Sequence, residues 1–321
     1  MTALKASFPA GILAGFLADL ALADPRRGHP VAGFGWLATR LERLSYRDRR
    51  TAGLVHTALL AGGVAAAAAG LQHRIRSGLA RTALTATATW VALGGTTLTR
   101  TGSQMAGLLE ADDIDGARAL LPSLCGRDPA SLDGPGLARA ACESIAENTS
   151  DAQVAPLFWA AVAGMPGVLG YRAVNTLDAM IGNRSQRYAR FGWAAARLDD
   201  VANYVPARLT GLLVLACAPL GGGSPAAAGR AWRRDAARHP SPNAGVAEAS
   251  FAGALGVRLG GPTQYRYQLE IRPTLGDGAP PGPGDLRRAV RLSQLVQIAA
   301  LVVALGINAA VRTGRRASAR W

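Results

Sequence analysis

Apolar residues fall in long blocks along this chain rather than at alternate positions. The blocks 6–23, 53–71, 79–98, 209–223 and 292–311 approach the length of ~20 residues that a helix needs to cross a bilayer. A further run, 154–170, contains Pro156, Gly164, Pro166 and Gly167, so a re-entrant or kinked segment fits it as well as a simple span. No stretch of any length alternates with the period of a strand, and no internal repeat is found. The pattern predicts an all-α polytopic membrane protein, a single domain over 1–321 with about five spans. Residues 276–284, rich in Pro and Gly, are expected to be a flexible linker.

The polar stretches between the blocks add detail. Residues 36–44 and 226–238 have the spacing of amphipathic helices, and 99–137 reads as a short helical cytoplasmic segment. The first block has two readings. Lys5, an apolar stretch and Ala21-Leu22-Ala23 resemble a secretory signal with its cleavage site. Asp19 interrupts that stretch, which favours a retained membrane helix with an intramembrane acid.

Composition then narrows the class. Mean hydropathy is +0.14, low for a fully embedded chain, so sizeable polar segments lie between the spans. The net charge of +14 comes almost wholly from arginine, Lys5 being the only lysine. Such a charge implies an anionic neighbour: lipid headgroups, a phosphorylated substrate or nucleic acid. No nucleic-acid-binding motif accompanies it, so no nucleic-acid partner is expected. Arginines crowd between Asp24 and Ala52 and again after Val311, which puts both segments on the cytoplasmic side. Cys125, Cys142 and Cys217 lack metal-ligand spacing and read as small buried apolar residues.

One stretch concentrates chemistry. Glu143, Glu147 and Asp151 stand at i, i+4 and i+8, which on a helix brings them to one side. Like charges at that spacing repel, so the ladder is either a solvated acidic helix end or a site for a divalent cation or a cationic substrate group at a membrane boundary. Ser150 with Gln153 could instead cap a new helix and take Asp151 out of the ladder. Elsewhere, Asp24 and His29 sit in a turn-rich segment with Arg26. Arg184, Arg187 and Arg190 at i, i+3 and i+6 could grip phosphate or simply anchor a loop at the membrane. Asp199, Asp200 and Asn203 could share a helix turn with a metal or merely start a helix. Walker A, Gly-x-Ser-x-Gly, His-Glu-x-x-His and Cys-x-x-Cys patterns are missing.

Taken in order, these stretches form a recognisable set. They are Asp19 with Asp24-Pro25 and His29-Pro30-Val31; Glu143 to Asp151; Tyr171-Arg172-Ala173-Val174-Asn175-Thr176-Leu177-Asp178; and Arg187-Tyr188 with Phe191-Gly192. Asp199-Asp200 with Asn203 and Pro206-Ala207-Arg208 follow, then Ser241-Pro242-Asn243-Ala244-Gly245 with Glu248-Ala249 and Leu259-Gly260-Gly261. The chain resembles the CobD/CbiB family, membrane proteins of cobalamin biosynthesis also called adenosylcobinamide-phosphate synthases. One departure is Arg266-Tyr267-Gln268 after Tyr265, where a glycine is expected.

The resemblance implies amide formation between aminopropanol, or its phosphate, and a carboxyl of adenosylcobyric acid. A carboxylate does not condense with an amine unaided, so ATP as cosubstrate and Mg²⁺ are expected. Residue chemistry suggests the roles. Glu143, Glu147 and Asp151 would hold the metal, with Glu147 also catalytic. Asp24 or His29 would deprotonate the amine. Arg172, Arg184, Arg187, Asn175, Asp178, Asn243 and Glu248 would bind substrate and phosphate. The expected setting is the bacterial inner membrane, with the corrinoid, lipids and other membrane enzymes of the pathway as partners. Two rivals stand beside this reading: a prenyltransferase-type enzyme using Asp199-Asp200-x-x-Asn203 on a Mg²⁺-diphosphate, and a non-catalytic scaffold of the pathway.

Overall fold

The apolar blocks fold as helices. The structure is a computed structural model that describes residues 7–25, 27–183, 185–264 and 269–318. Four of its helical stretches are long and apolar enough to cross a membrane: Arg50–Arg74, Gly134–Ile181, Trp193–Gly221 and Pro283–Val311. Phe8–Leu22 and Ala244–Leu255 are shorter apolar helices. The protein is an all-α polytopic membrane protein, as its blocks predict. The chain divides into two compact units, one made of residues 1–94, 155–203 and 301–321, the other of 95–154 and 204–300.

In the first unit, Ser7–Leu22 lies along Gly78–Ala92. Small residues let the backbones approach. A Cβ on Gly11 would come within 2.6 Å of Thr85, and one on Gly15 within 2.6 Å of Thr89 and the Ala86 carbonyl. The expected span 79–98 is not one helix. It ends at Ala92, Leu93 is extended at ψ 158°, and a new helix starts at Gly95. Continuous apolarity concealed that break.

The 154–170 run is kinked. Ala155–Ile181 continues as helix through it but turns at Gly164, whose φ of 66° and ψ of −148° lie outside helical space, just before Pro166. The break frees the N–H of Met165, and the side-chain oxygen of Gln72 accepts it at 3.1 Å. A side chain thus satisfies a backbone group that membrane surroundings could not. The amphipathic helix Pro30–Ser45 packs on the same kinked helix. Ala38, Leu60, Val174, Leu177, Ile181 and Phe191 form the core there.

In the second unit, Gly134–Thr149 runs straight into a π-helical turn, Ser150–Val154. Ser150 has helical dihedrals, φ −67° and ψ −55°, so no new cap forms and Asp151 stays on the continuous helix. Pro225–Asp235 packs against Ala244–Leu255, every residue of which is buried. Two expectations fail in this unit. A hairpin, Leu259–Gln264 with Leu269–Leu275, stands where no strand was expected; its Gly and Pro content hides any alternation. The 276–284 segment is also tied down where a flexible linker was expected. Gly276, at φ +81°, donates its N–H to the buried Asp235 carboxylate at 2.9 Å, and Ala279 accepts from the Arg258 N–H at 2.9 Å.

Candidate functional site

The second unit buries a group of charged side chains around Glu143. Glu143 sits on the inner face of Gly134–Thr149, where only 2% of its side chain is exposed. One carboxylate oxygen is ion-paired with Arg127, and the other accepts the Gly260 N–H at 2.7 Å. Burial alone would pull the Arg127 guanidinium down, but Glu143 holds it above its ordinary value. The Gly260 N–H points inward because Gly260 and Gly261 take φ of +82° and +90°, at a bulge in the hairpin register. Burial pushes the nearby Cys125 thiol up, which makes it a poor nucleophile.

Glu248 completes the group. It lies on Ala244–Leu255, a helix of 12 residues and too short to cross a bilayer. Its carboxylate is 3.6 Å from His239 Nε2 and 3.8 Å from Arg272 Nη1, too far for hydrogen bonds to either. Among the described residues neither of its oxygens has a hydrogen-bond partner. Burial first, then the charges of Glu143 and Glu147, raise its pKa well above the usual carboxylate range; Arg272 and Arg127 oppose this. Burial also pulls the His239 imidazole below its ordinary value, which favours the neutral ring.

Local backbone chemistry sets this geometry. The Ser241 hydroxyl accepts the N–H groups of Asn243 and Ala244 at 3.4 and 3.2 Å, which turns the chain into the Ala244–Leu255 helix. His239 Nδ1 lies 3.1 Å from both backbone polar atoms of Ser241. Asn243, expected to bind substrate, accepts instead from Arg208 at 2.7 Å. The unit therefore holds three carboxylates, two guanidiniums and an imidazole within one electrostatic neighbourhood. Such a set can grip an anionic group and move a proton.

It does not make a resident metal site. Both oxygens of Glu143 are already engaged, and among the described residues no group of three or more His, Cys, Asp or Glu could hold an ion. The Glu143, Glu147 and Asp151 ladder forms on the helix but does not converge as ligands. A helix presents them at successive turns, whereas a cation needs them around one point.

The other expected residues belong to the first unit. His29 caps a helix: its Nδ1 accepts the Val31 N–H at 3.1 Å, and its Nε2 faces Asp24 at 3.5 Å. With Nδ1 spent as an acceptor, the ring has no lone pair left for an amine. Arg187 spends its fork on Glu42, through Nε at 3.2 Å and Nη2 at 2.8 Å, and stacks on Tyr46. That holds Arg187 above its ordinary pKa. Arg184, Arg26 and 265–268 lie outside the described residues.

Arg172, Asn175 and Asp199 form a chain. Arg172 donates to Asn175 at 3.3 Å, Asn175 to Asp199 at 3.3 Å, and Asn203 to Asp199 at 3.0 Å, while Tyr171 donates to Asn203 at 2.9 Å. Asp178 lies one turn further along the same helix. Asp199 is thus tied up by amides and Asp200 by Arg197 at 3.4 Å, which weighs against a Mg²⁺-diphosphate motif there.

Sequence reasoning missed Arg127, Arg272 and Glu42. Nothing local marks a single arginine among 35 basic residues as buried.

The comparisons with known proteins agree with the resemblance that the sequence motifs carry. The model of the family described as CobD/Cbib protein matches residues 12–293. A protein of Mycobacterium tuberculosis (strain CDC 1551 / Oshkosh) named Cobalamin biosynthesis protein CobD is 66% identical over 295 residues, 92% of this chain and 94% of the relative. Proteins of the same name from Rhodobacter capsulatus and Geobacter metallireducens are 42% and 43% identical. Those matches cover 91% and 84% of this chain, and 94% and 87% of the relatives. No solved structure matches. With a family model spanning most of its length and relatives this similar, the chain belongs to the CobD/CbiB family.

Proposed function

We propose that this protein works in cobalamin biosynthesis as an amide-forming enzyme of the bacterial plasma membrane. It joins aminopropanol, or its phosphate, to a carboxyl of adenosylcobyric acid at the expense of ATP. Family membership supports the pathway. The observation that carries the reaction is Glu248, a buried carboxylate with no hydrogen-bond partner among the described residues, facing a guanidinium and an imidazole.

The chemistry runs in two steps. An oxygen of the corrinoid carboxylate attacks the terminal phosphorus of ATP, the bond to ADP breaks, and an acyl phosphate forms. The amine nitrogen then attacks the acyl carbon, phosphate leaves, and nitrogen gives up a proton. Arg127 and Arg272 offer charge to the anionic groups, which is worth most where water is excluded. Glu248 takes the proton from nitrogen, as the buried carboxylate without a hydrogen-bond partner among the described residues that faces Arg272 and His239. His239, whose burial favours the neutral ring, lies 3.6 Å from the Glu248 carboxylate. No step is assigned to a protein-held metal.

The test is reconstitution by omission. Detergent-solubilised protein with adenosylcobyric acid, ATP, Mg²⁺ and aminopropanol phosphate should give a product of the amide's mass, and none when ATP is left out. Product without ATP, or none with every component present, would overturn the reading.

A further inference from the structure

The Leu259-Gly260-Gly261 motif has a second face. Its backbone lines an open cavity of about 410 Å³ in the second unit, within the ~300–1,000 Å³ range of small-molecule sites. Arg139, Arg258, Thr274 and Asp133 line it together with Gly260 and Gly261. Gly260 is shared: its N–H reaches inward to Glu143, and its carbonyl accepts from Arg139. One residue thus forms a wall of the cavity through its carbonyl while its N–H bonds the buried carboxylate.

Two guanidiniums, of Arg139 and Arg258, line the cavity. Arg139 donates from Nη1 to the Gly260 carbonyl and from Nη2 to the Pro262 carbonyl at 2.7 Å, which fixes its plane at the wall. A guanidinium has five N–H donors, so these two bonds leave others unused. Arg258 is tied through its backbone N–H to Ala279, yet among the described residues its guanidinium has no partner. Asp133 is the opposing charge, but its carboxylate accepts the Gly136 N–H at 2.9 Å as a helix cap. At the wall, a Cβ on Gly261 would come 2.8 Å from Arg139 Nη1, so a side chain there would crowd the guanidinium.

We propose that this cavity binds the phosphate group of a substrate, with Arg258 as its principal cation and Arg139 as the fixed one. The inference rests on the amide-forming reading for its choice of ligands, which are the triphosphate of ATP or the monoester of aminopropanol phosphate. Either would be separated from Glu143 by the single residue Gly260.

Arg258→Ala tests it, because that side chain is exposed and its loss spares the core. Losing a charge-assisted phosphate contact should raise one KM by about tenfold or more. A shift in the KM of ATP identifies the nucleotide. A shift for aminopropanol phosphate, but not for aminopropanol, identifies the monoester. An active Arg258→Ala protein with every KM within about twofold of the parent would overturn the proposal and leave the amide-forming reading standing. If the parent makes no amide, that reading fails and binding of inorganic tripolyphosphate decides the cavity by itself. Affinity about tenfold weaker in Arg258→Ala would support the site, and equal affinity would overturn it.

Discussion

Gly260 donates its backbone N–H to the Oε1 of Glu143 at 2.7 Å across 117 residues of sequence. The bond needs Gly260 at φ +82°, and a Cβ there would collide with the Pro273 carbonyl. Gly260→Ala should therefore cost about 1–3 kcal/mol, the range for a strained backbone position. It should also deprive Glu143 of a donor. Thermal unfolding in detergent checks the first effect, and amide formation by the folded fraction checks the second.

Removing Arg127 should cost more. Arg127→Met strands the Glu143 carboxylate in the interior, where breaking one side of a buried pair costs about 3–5 kcal/mol. Adding Glu143→Gln to that variant should restore most of the loss, because the orphaned charge goes. The double-mutant cycle in unfolding free energy measures this coupling.

Arg187 is held by Glu42 through two donors. Arg187→Lys should keep the parent KM for aminopropanol phosphate and for ATP while lowering the melting temperature, since an ammonium cannot reproduce the fork. Steady-state kinetics and melting of one preparation check both halves.

The raised pKa of Glu248 gives a pH signature with a definite sign. In the folded state this group holds its proton to higher pH than in the unfolded chain. Its contribution to stability is complete below the unfolded carboxylate value, about 4.3, and is lost as pH rises through the folded value. Glu248→Gln never ionises, so its melting temperature should match the parent in acid and exceed it increasingly toward neutral pH. Melting curves at several pH values check the divergence.

What the sequence makes legible is local. The spacing of Glu143, Glu147 and Asp151 places them on one helix, and the structure keeps that helix continuous through Ser150. What Glu143 touches is not local. Arg127 comes from a loop 16 residues earlier and Gly260 from a hairpin 117 residues later. The hairpin itself escapes a search for alternation because Gly260, Gly261 and Pro262 supply no side-chain period. Glu248 was expected to bind substrate, but its burial depends on the whole Ala244–Leu255 helix being enclosed. The break at Leu93 was hidden for the opposite reason, since residues on both sides of it are apolar or small.

The central claim is that Glu248 acts as the base in amide formation, and Glu248→Gln tests it most directly. The variant keeps shape and volume but cannot accept the proton from nitrogen. With adenosylcobyric acid, ATP, Mg²⁺ and aminopropanol phosphate, the parent protein should form amide, read by product mass. Glu248→Gln, folded and at least as stable at neutral pH, should lose about 10²–10⁴-fold in rate, the usual contribution of a positioned acid or base. A Glu248→Gln protein that turns over at the parent rate would contradict the account.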